Sequence, residues 1–114
     1  MYSMENEFIN GFNAISSEVH NNAISKGWWN EERNDGEIIA LIHSELSEAL
    51  EAMREGDKMD DKVPEFTGVE VELADAIIRI MDYAGSKYLR VAEALIAKMR
   101  YNETRPYKHG GKSF

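Results

Sequence analysis

The stretch Val69-Glu-Val-Glu-Leu-Ala-Asp-Ala-Ile-Ile-Arg-Ile-Met-Asp-Tyr-Ala84 decides the fold of this chain. On a helical wheel its apolar side chains cover most of the circumference. Four charged residues fall in one stripe about 80° wide: Glu72, Asp75, Arg79 and Asp82. A helix that is apolar nearly all round is buried on several sides. The charged stripe must then face partner charges, a metal ion or a water-filled pocket, because isolated buried charges are costly.

A second acidic pair lies upstream, in another helical pattern. Glu45 and Glu48 are spaced i, i+3, as are Glu72 and Asp75, so each pair presents two carboxylates on one helix face. Glu45 falls inside the apolar arc of its helix and Glu48 at the edge of that arc. Four acids against one arginine favour a bound cation, and an all-oxygen ligand set suits Mg²⁺ or Mn²⁺ better than zinc. Ordinary ion pairs with arginine or lysine are the alternative.

The spacing of apolar residues, together with capping signals, predicts four helices. The predicted bounds are about 4–26, 34–55, 69–84 and 88–103. Gly27 and Gly56 are the expected stops of the first two helices, and Pro106 limits the last. The predicted fold class is therefore all-α, a four-helix-type bundle. Because the third helix is too apolar for a lone bundle, we expect a homodimer or homotetramer formed through apolar helices.

Size and composition restrict the function classes. The 114 residues predict a single domain, with a core of about 5–105 and a basic tail of 106–114. Cysteine is absent, which excludes thiolate metal sites. Residues 1–10 lack an apolar run, and no apolar stretch approaches the roughly 18 residues needed to span a membrane. We therefore expect a cytoplasmic protein without a membrane partner. The net charge of −8 argues against a nucleic-acid polymer as partner, although residues 98–114 are basic.

The acidic pairs, with residues 49–71 between them, resemble the E-x-x-E and E-x-x-D motifs of the MazG-like, all-α nucleoside triphosphate pyrophosphohydrolases. The later run Lys98-Met-Arg-Tyr-Asn102-Glu-Thr-Arg105-Pro is similar to the dCTP-pyrophosphatase branch, which has a Lys, an Asn four residues on, then an Arg. The resemblance covers roughly residues 5–112. The chain departs from the tandem-domain MazG proteins in having one domain, and Asn102 where those tend to have Arg.

The resemblance implies hydrolysis of a (deoxy)nucleoside triphosphate between its α- and β-phosphates, giving a nucleoside monophosphate and pyrophosphate. Mg²⁺, or Mn²⁺, would be the cofactor, and Glu48 the expected general base. The implied metal ligands are the four acids of the two motifs: Glu45, Glu48, Glu72 and Asp75. The expected phosphate ligands lie at the basic end of the chain: Lys98, Asn102, Arg105 and the tail residue Lys108. Their alternative role is to favour the helix macrodipole.

Three further residues are candidates for contact with the nucleotide. Trp28 and Trp29 follow the first helix, and one of them is expected to stack on the base. A loop tryptophan that covers the core is the alternative. His20 could reach the base or a phosphate, although a lone helical histidine is more often structural.

Other classes of function remain open at this point. A non-enzymatic helical dimerisation module would use the acids as interface ion pairs, without metal dependence. It would tolerate Glu45→Gln together with Asp75→Asn. Among enzymes, a phosphoribosyl-ATP pyrophosphohydrolase and a dimeric dUTPase are rivals.

Overall fold

The computed structural model describes residues 3–107, which form helices and no strand. The helices are α1 (Met4–Ser25), α2 (Asp35–Arg54), α3 (Gly68–Lys87) and α4 (Val91–Glu103). The predicted all-α class is confirmed. In the long α2–α3 connection, an isolated antiparallel bridge joins Met59 to Thr67.

Local capping explains where the first three helices begin. The side chains of Ser3 and Asn34 accept hydrogen bonds from backbone N–H groups three residues on, and so cap α1 and α2. Thr67 and Glu70 form a reciprocal capping box at the start of α3. These bonds satisfy N–H groups that a helix otherwise leaves without partners. The sequence pattern offers Asn34 or Asp35 as the cap of the second helix, and the structure shows that Asn34 is the cap. The capping box of α3 is not among the predicted features.

The boundary between α3 and α4 differs from the prediction. The third helix runs to Lys87 and not only to Ala84, and α4 begins at Val91 and not at Tyr88. Tyr88 has φ 55°, in the left-handed region, and its N–H donates to Ala84 O as a C-cap. Residues other than glycine seldom adopt this conformation, so the sequence pattern did not signal it.

Helix α3 packs against both α2 and α1, and α4 packs against α1. Gly85 makes the α1–α3 contact close: a Cβ atom at this position would lie 3.1 Å from His20 Cβ and 3.3 Å from Ser16 O. Ser16 is buried and donates its hydroxyl hydrogen to Met81 O, which ties the same two helices together. The charged stripe of α3 is thereby held between α1 and α2.

The protomer buries little apolar volume. Among residues 3–107 the buried hydrophobic side chains are Ile38 and four alanines, and none of the large side chains is fully buried. The accessible surface is 8767 Å², against about 6,300 Å² expected for a compact monomer of this mass. The radius of gyration is 16.8 Å, against about 13 Å expected for a domain of roughly this length. The chain alone thus leaves much of its apolar surface exposed to solvent.

Candidate functional site

Three of the four predicted acidic ligands converge where α2 and α3 pack together. Carboxylate oxygens of Glu45, Glu72 and Asp75 all lie within 4.8 Å of one another, and these residues are called the acidic cluster below. The i, i+3 spacing turns Glu72 and Asp75 toward α2, where Glu45 is buried. Three carboxylates at this separation form an oxygen-rich group of the kind that holds a hard divalent cation.

Glu48 lies beside the acidic cluster and outside it. Its side chain is exposed, and its carboxylate is close enough to Glu72 to raise the pKa of that residue. The helical wheel predicts that Glu48 lies at the edge of the apolar arc of α2, and the exposure of its side chain agrees with that position. Whether Glu48 binds metal or acts as the base stays a prediction.

The crowding of carboxylates perturbs their protonation. Burial, and then the neighbouring carboxyl groups of Glu45 and Glu48, raise the pKa of Glu72 to about 8. Burial and the charge of Glu45 also raise the pKa of Asp75. One oxygen of Glu72, Oε2, is buried with no hydrogen-bond partner. The geometry therefore places acids together without enough protein cations to balance them.

Arg79 supplies the one ion pair that reaches the acidic cluster within residues 3–107. Its Nε donates to Glu45 Oε1 at 2.8 Å. Burial alone would raise the pKa of Glu45, but this hydrogen bond lowers it below its usual value. The ordinary ion-pair alternative thus holds for Glu45, whereas Glu72 and Asp75 form no ion pair within the part of the chain described.

Two members of the acidic cluster, Glu45 and Asp75, line a cleft of about 530 Å³ that is formed by α1, α2, α3 and the α1–α2 loop. This volume lies within the range of roughly 300–1,000 Å³ typical of small-molecule pockets. The cleft contains an apolar wall and both signs of charge, and its lining includes Ile15, Val19, Lys26, Trp28, Glu45, Asp75, Ile78 and Arg79. Since α3 rises 1.5 Å per residue, Asp75 and Asp82 are about 10 Å apart along its axis. The cleft therefore spans roughly two helical turns of the charged stripe.

Asp82 organises the loop end of the cleft. His20 Nδ1 lies 2.7 Å from Asp82 Oδ1, and Trp29 Nε1 donates to both carboxylate oxygens at 2.9 and 3.1 Å. Arg33 forms an ion pair with Asp82 at 3.7 Å and lies over the Trp29 ring, 4.7 Å from its centroid. These four residues are called the Asp82 network. The helical wheel predicts that Asp82 belongs to the charged stripe, but the sequence indicates no function for it. No motif or spacing in the sequence indicates a role for Arg33.

The network separates the roles of the three predicted nucleotide contacts. Trp29 is half-buried, with its N–H bonded to Asp82, and His20 meets its ring edge-on at 5.2 Å between centroids. Trp28 is 56% exposed and lines the cleft. Of the two tryptophans, Trp28 is thus the more exposed one and the one that lines the cleft, and His20 holds a structural contact.

The predicted phosphate ligands in α4 and just after it do not line the cleft. Lys98 Nζ sits 4.6 Å from the centroid of the Tyr101 ring, and Arg105 lies 6.0 Å from the same centroid. Lys98 and Asn102 are exposed, and neither they nor Arg105 line the cleft. The structure thus does not bring the predicted phosphate ligands to the acidic cluster within one chain. Lys108 lies outside the described residues.

Comparisons with known proteins add no relative: no protein-family model, no curated protein and no solved structure matches this chain. None of the helices in the described residues is long and apolar enough to cross a membrane.

Proposed function

We propose that this chain is a metal-dependent pyrophosphohydrolase that cleaves a (deoxy)nucleoside triphosphate to a nucleoside monophosphate and pyrophosphate. The observation that carries the proposal is the acidic cluster at the edge of a cleft large enough for a small molecule. The resemblance of the two acidic motifs to the MazG-like enzymes supports the same reaction. The family assignment is part of the proposal.

The acidic cluster fits a divalent cation by the chemistry of its donors. Glu72 and Asp75 form no ion pair within residues 3–107, and Glu72 Oε2 is buried without a hydrogen bond. Mg²⁺ is the proposed ion because the ligand atoms are all carboxylate oxygens. When bound there, it would supply charge neutralisation for phosphate oxygens and a more acidic bound water.

Three side chains of the protein have proposed roles in the reaction. Water attacks the α-phosphorus, the bond from the α-phosphorus to the bridging oxygen breaks, and pyrophosphate leaves. Glu48, exposed next to Glu72, is the proposed acceptor of the water proton. Arg79, which lines the cleft, is the proposed contact for a phosphate oxygen. Trp28 is the proposed stacking surface for the base.

A second copy of the chain is part of the proposal. Large apolar side chains on α2 recur at helical spacing and are exposed: Ile39, Leu46, Leu50 and Met53. On α3, Leu73 and Ile77 are exposed on the side opposite the charged stripe. Large contiguous apolar patches on the surface of a monomer often mark protein–protein contacts. Since α4 does not line the cleft of its own protomer, a homodimer or homotetramer is also the simplest way for Lys98, Asn102 and Arg105 to reach phosphate.

The exposed apolar stripes and the Glu45–Arg79 ion pair also favour a second candidate, the non-enzymatic dimerisation module. Product analysis separates the two candidates. The chain is incubated with ribo- and deoxynucleoside triphosphates, and with phosphoribosyl-ATP, with and without Mg²⁺. We expect monophosphate and pyrophosphate only with metal, and loss of product in Glu72→Gln but not in Glu55→Gln, an exposed control at the C-cap of α2. Absence of turnover, with melting unaffected by Mg²⁺, would leave the dimerisation module.

A further inference from the structure

The Asp82 network forms a wall between two cavities. Arg33 and Asp82 line the cleft, and His20, Trp29 and Arg33 line a second cavity of about 300 Å³ on the other side. Arg33 therefore faces both spaces, with its guanidinium 4.7 Å from the Trp29 centroid and 5.9 Å from the Trp28 centroid. The loop end of the cleft is therefore lined by a cation that lies near the centroids of two aromatic rings.

The wall depends on a single carboxylate. Asp82 and Arg33 are each only 13% exposed at the side chain, so their ion pair is poorly screened by solvent. Asp82 also accepts from Trp29 and contacts His20, so one acid on α3 fixes groups from α1 and from the loop. Without it, the buried guanidinium of Arg33 would have no counter-ion within the described residues, and the indole N–H would lose its acceptor.

We propose that Asp82 is a positioning residue, which holds Arg33 and Trp29 so that the α1–α2 loop forms a preformed end wall of the cleft, with Trp28 turned toward the ligand. The kinetic part rests on the proposed function, since it concerns how the triphosphate binds. Preorganisation of this kind acts on ligand affinity, because a fixed wall removes the cost of ordering the loop at binding. The chemistry occurs about two turns away along α3, at the acidic cluster.

The first experiment tests the wall without any ligand. Tryptophan occurs only at positions 28 and 29, so Trp28→Phe leaves Trp29 as the sole indole emitter. In that background, we expect Asp82→Ala to shift Trp29 emission to longer wavelength and to increase its quenching by acrylamide. Asp35→Asn is the matched control, because Asp35 also forms an ion pair at 3.7 Å, with Lys87, but is exposed. Unchanged Trp29 emission and quenching in Asp82→Ala would overturn the proposal.

The second experiment measures steady-state kinetics with the triphosphate that the unsubstituted chain cleaves best. In Asp82→Asn we expect KM to rise about tenfold while kcat changes less than about twofold, since the wall binds ligand but does not touch the reacting atoms. Arg33→Lys keeps the charge but loses the planar stack, and a smaller rise in KM is expected. A fall in kcat with unchanged KM in Asp82→Asn would contradict a positioning role.

A variant that weakens the fold at another place distinguishes a positioning role of Asp82 from a purely stabilising one. Ala92 is buried in α4, away from the cleft, and Ala92→Gly should lower Tm as Asp82→Asn does. We expect KM to remain unchanged in Ala92→Gly; an equal rise in both variants would refute the positioning role. If the unsubstituted chain cleaves no triphosphate, the proposed function fails, and Trp29 fluorescence alone still decides whether Asp82 holds the wall.

Discussion

Arg79 Nε lies 2.8 Å from Glu45 Oε1, so the buried member of the acidic cluster is neutralised by a side chain from the neighbouring helix. Both residues face the cleft, and Arg79 is one turn beyond Asp75 on α3. A metal ion at the cluster would compete with the guanidinium for the same carboxylate. Binding of a metal ion would therefore change the charge balance of the acidic cluster, because Arg79 would be released from Glu45.

Replacement of Arg79 should reveal that competition. We expect Arg79→Gln to cost about 1–3 kcal/mol in the free energy of unfolding without metal, because it leaves Glu45 buried and unpaired. Added Mg²⁺ should raise Tm more in this variant than in the unsubstituted chain. Differential scanning fluorimetry over a Mg²⁺ titration measures both effects. Arg54→Gln removes an exposed pair with Glu51 and should change stability by less than about 0.5 kcal/mol; an equal loss in both would contradict the argument.

The raised pKa of Glu72 predicts a pH dependence of stability in the absence of metal. Its pKa in the folded chain is about 8, against an ordinary value of 4.5. Between these values the unfolded chain has lost the proton that the folded chain keeps, so stability falls as pH rises through this window. The raised pKa of Asp75 acts in the same direction. Tm measured from pH 5 to 8 in a chelating buffer should therefore decrease.

Glu72→Gln should flatten this dependence, because the amide does not titrate. Mg²⁺ should oppose it as well, since metal binding requires the deprotonated carboxylate and strengthens as pH rises. A Tm that increases from pH 5 to 8 without metal would show that the protonation of Glu72 is not as described. Glu55→Gln, at the exposed C-cap position of α2, serves as the control with the same change of group.

Glu48 and Glu72 should differ in their kinetic effects. If Glu48 accepts the water proton, Glu48→Gln should lower kcat about 100-fold or more, with a modest change in the Mg²⁺ concentration at half-maximal rate. Glu72→Gln should raise that Mg²⁺ concentration strongly, because a ligand is lost. Rates measured over a Mg²⁺ titration separate the two. A Glu48→Gln variant whose rate is fully restored by excess Mg²⁺ would assign Glu48 to the metal and not to the proton.

The exposed apolar stripes predict self-association. We expect a dimer or tetramer in light scattering coupled to size-exclusion chromatography, and dissociation by Leu50→Glu or Ile77→Glu, which place charge on the stripes of α2 and α3. Met4→Glu is the control, since Met4 is 82% exposed in the first turn of α1, where an acid is favourable. A monomer in the unsubstituted chain would remove the second copy from the proposed site.

Replacement of two helical glycines by alanine should change the free energy of unfolding in opposite directions. Gly11→Ala adds a Cβ that meets nothing within 4 Å, so we expect a gain of about 0.5–1 kcal/mol from helix propensity. Gly85→Ala places the Cβ 3.1 Å from His20 Cβ and 3.3 Å from Ser16 O, so strain of about 1–3 kcal/mol should exceed that gain. Urea denaturation of both variants measures the difference. A stabilised Gly85→Ala would show that α1 can move away from α3.

The sequence by itself determined the helical class, because apolar spacing and capping groups act within a few residues of one another. It predicted the start of α2 to within a residue of its observed position. It selected Glu45, Glu48, Glu72 and Asp75 because acids in largely apolar helices need partners, and all of these except Glu48 form the acidic cluster. It failed at Tyr88, where the end of α3 depends on a left-handed backbone that residue type does not encode.

Only the tertiary structure decided which charges meet. Arg79 pairs with Glu45, 34 positions away, and Asp82 pairs with His20 and Trp29 across 62 and 53 positions. These partners come from different helices and the loop, and no spacing along the chain specifies them. The same packing separates Trp28 from Trp29, which are equivalent in sequence. It also leaves Lys98, Asn102 and Arg105 outside the cleft, because α4 packs against α1 and not on the acidic face of α3.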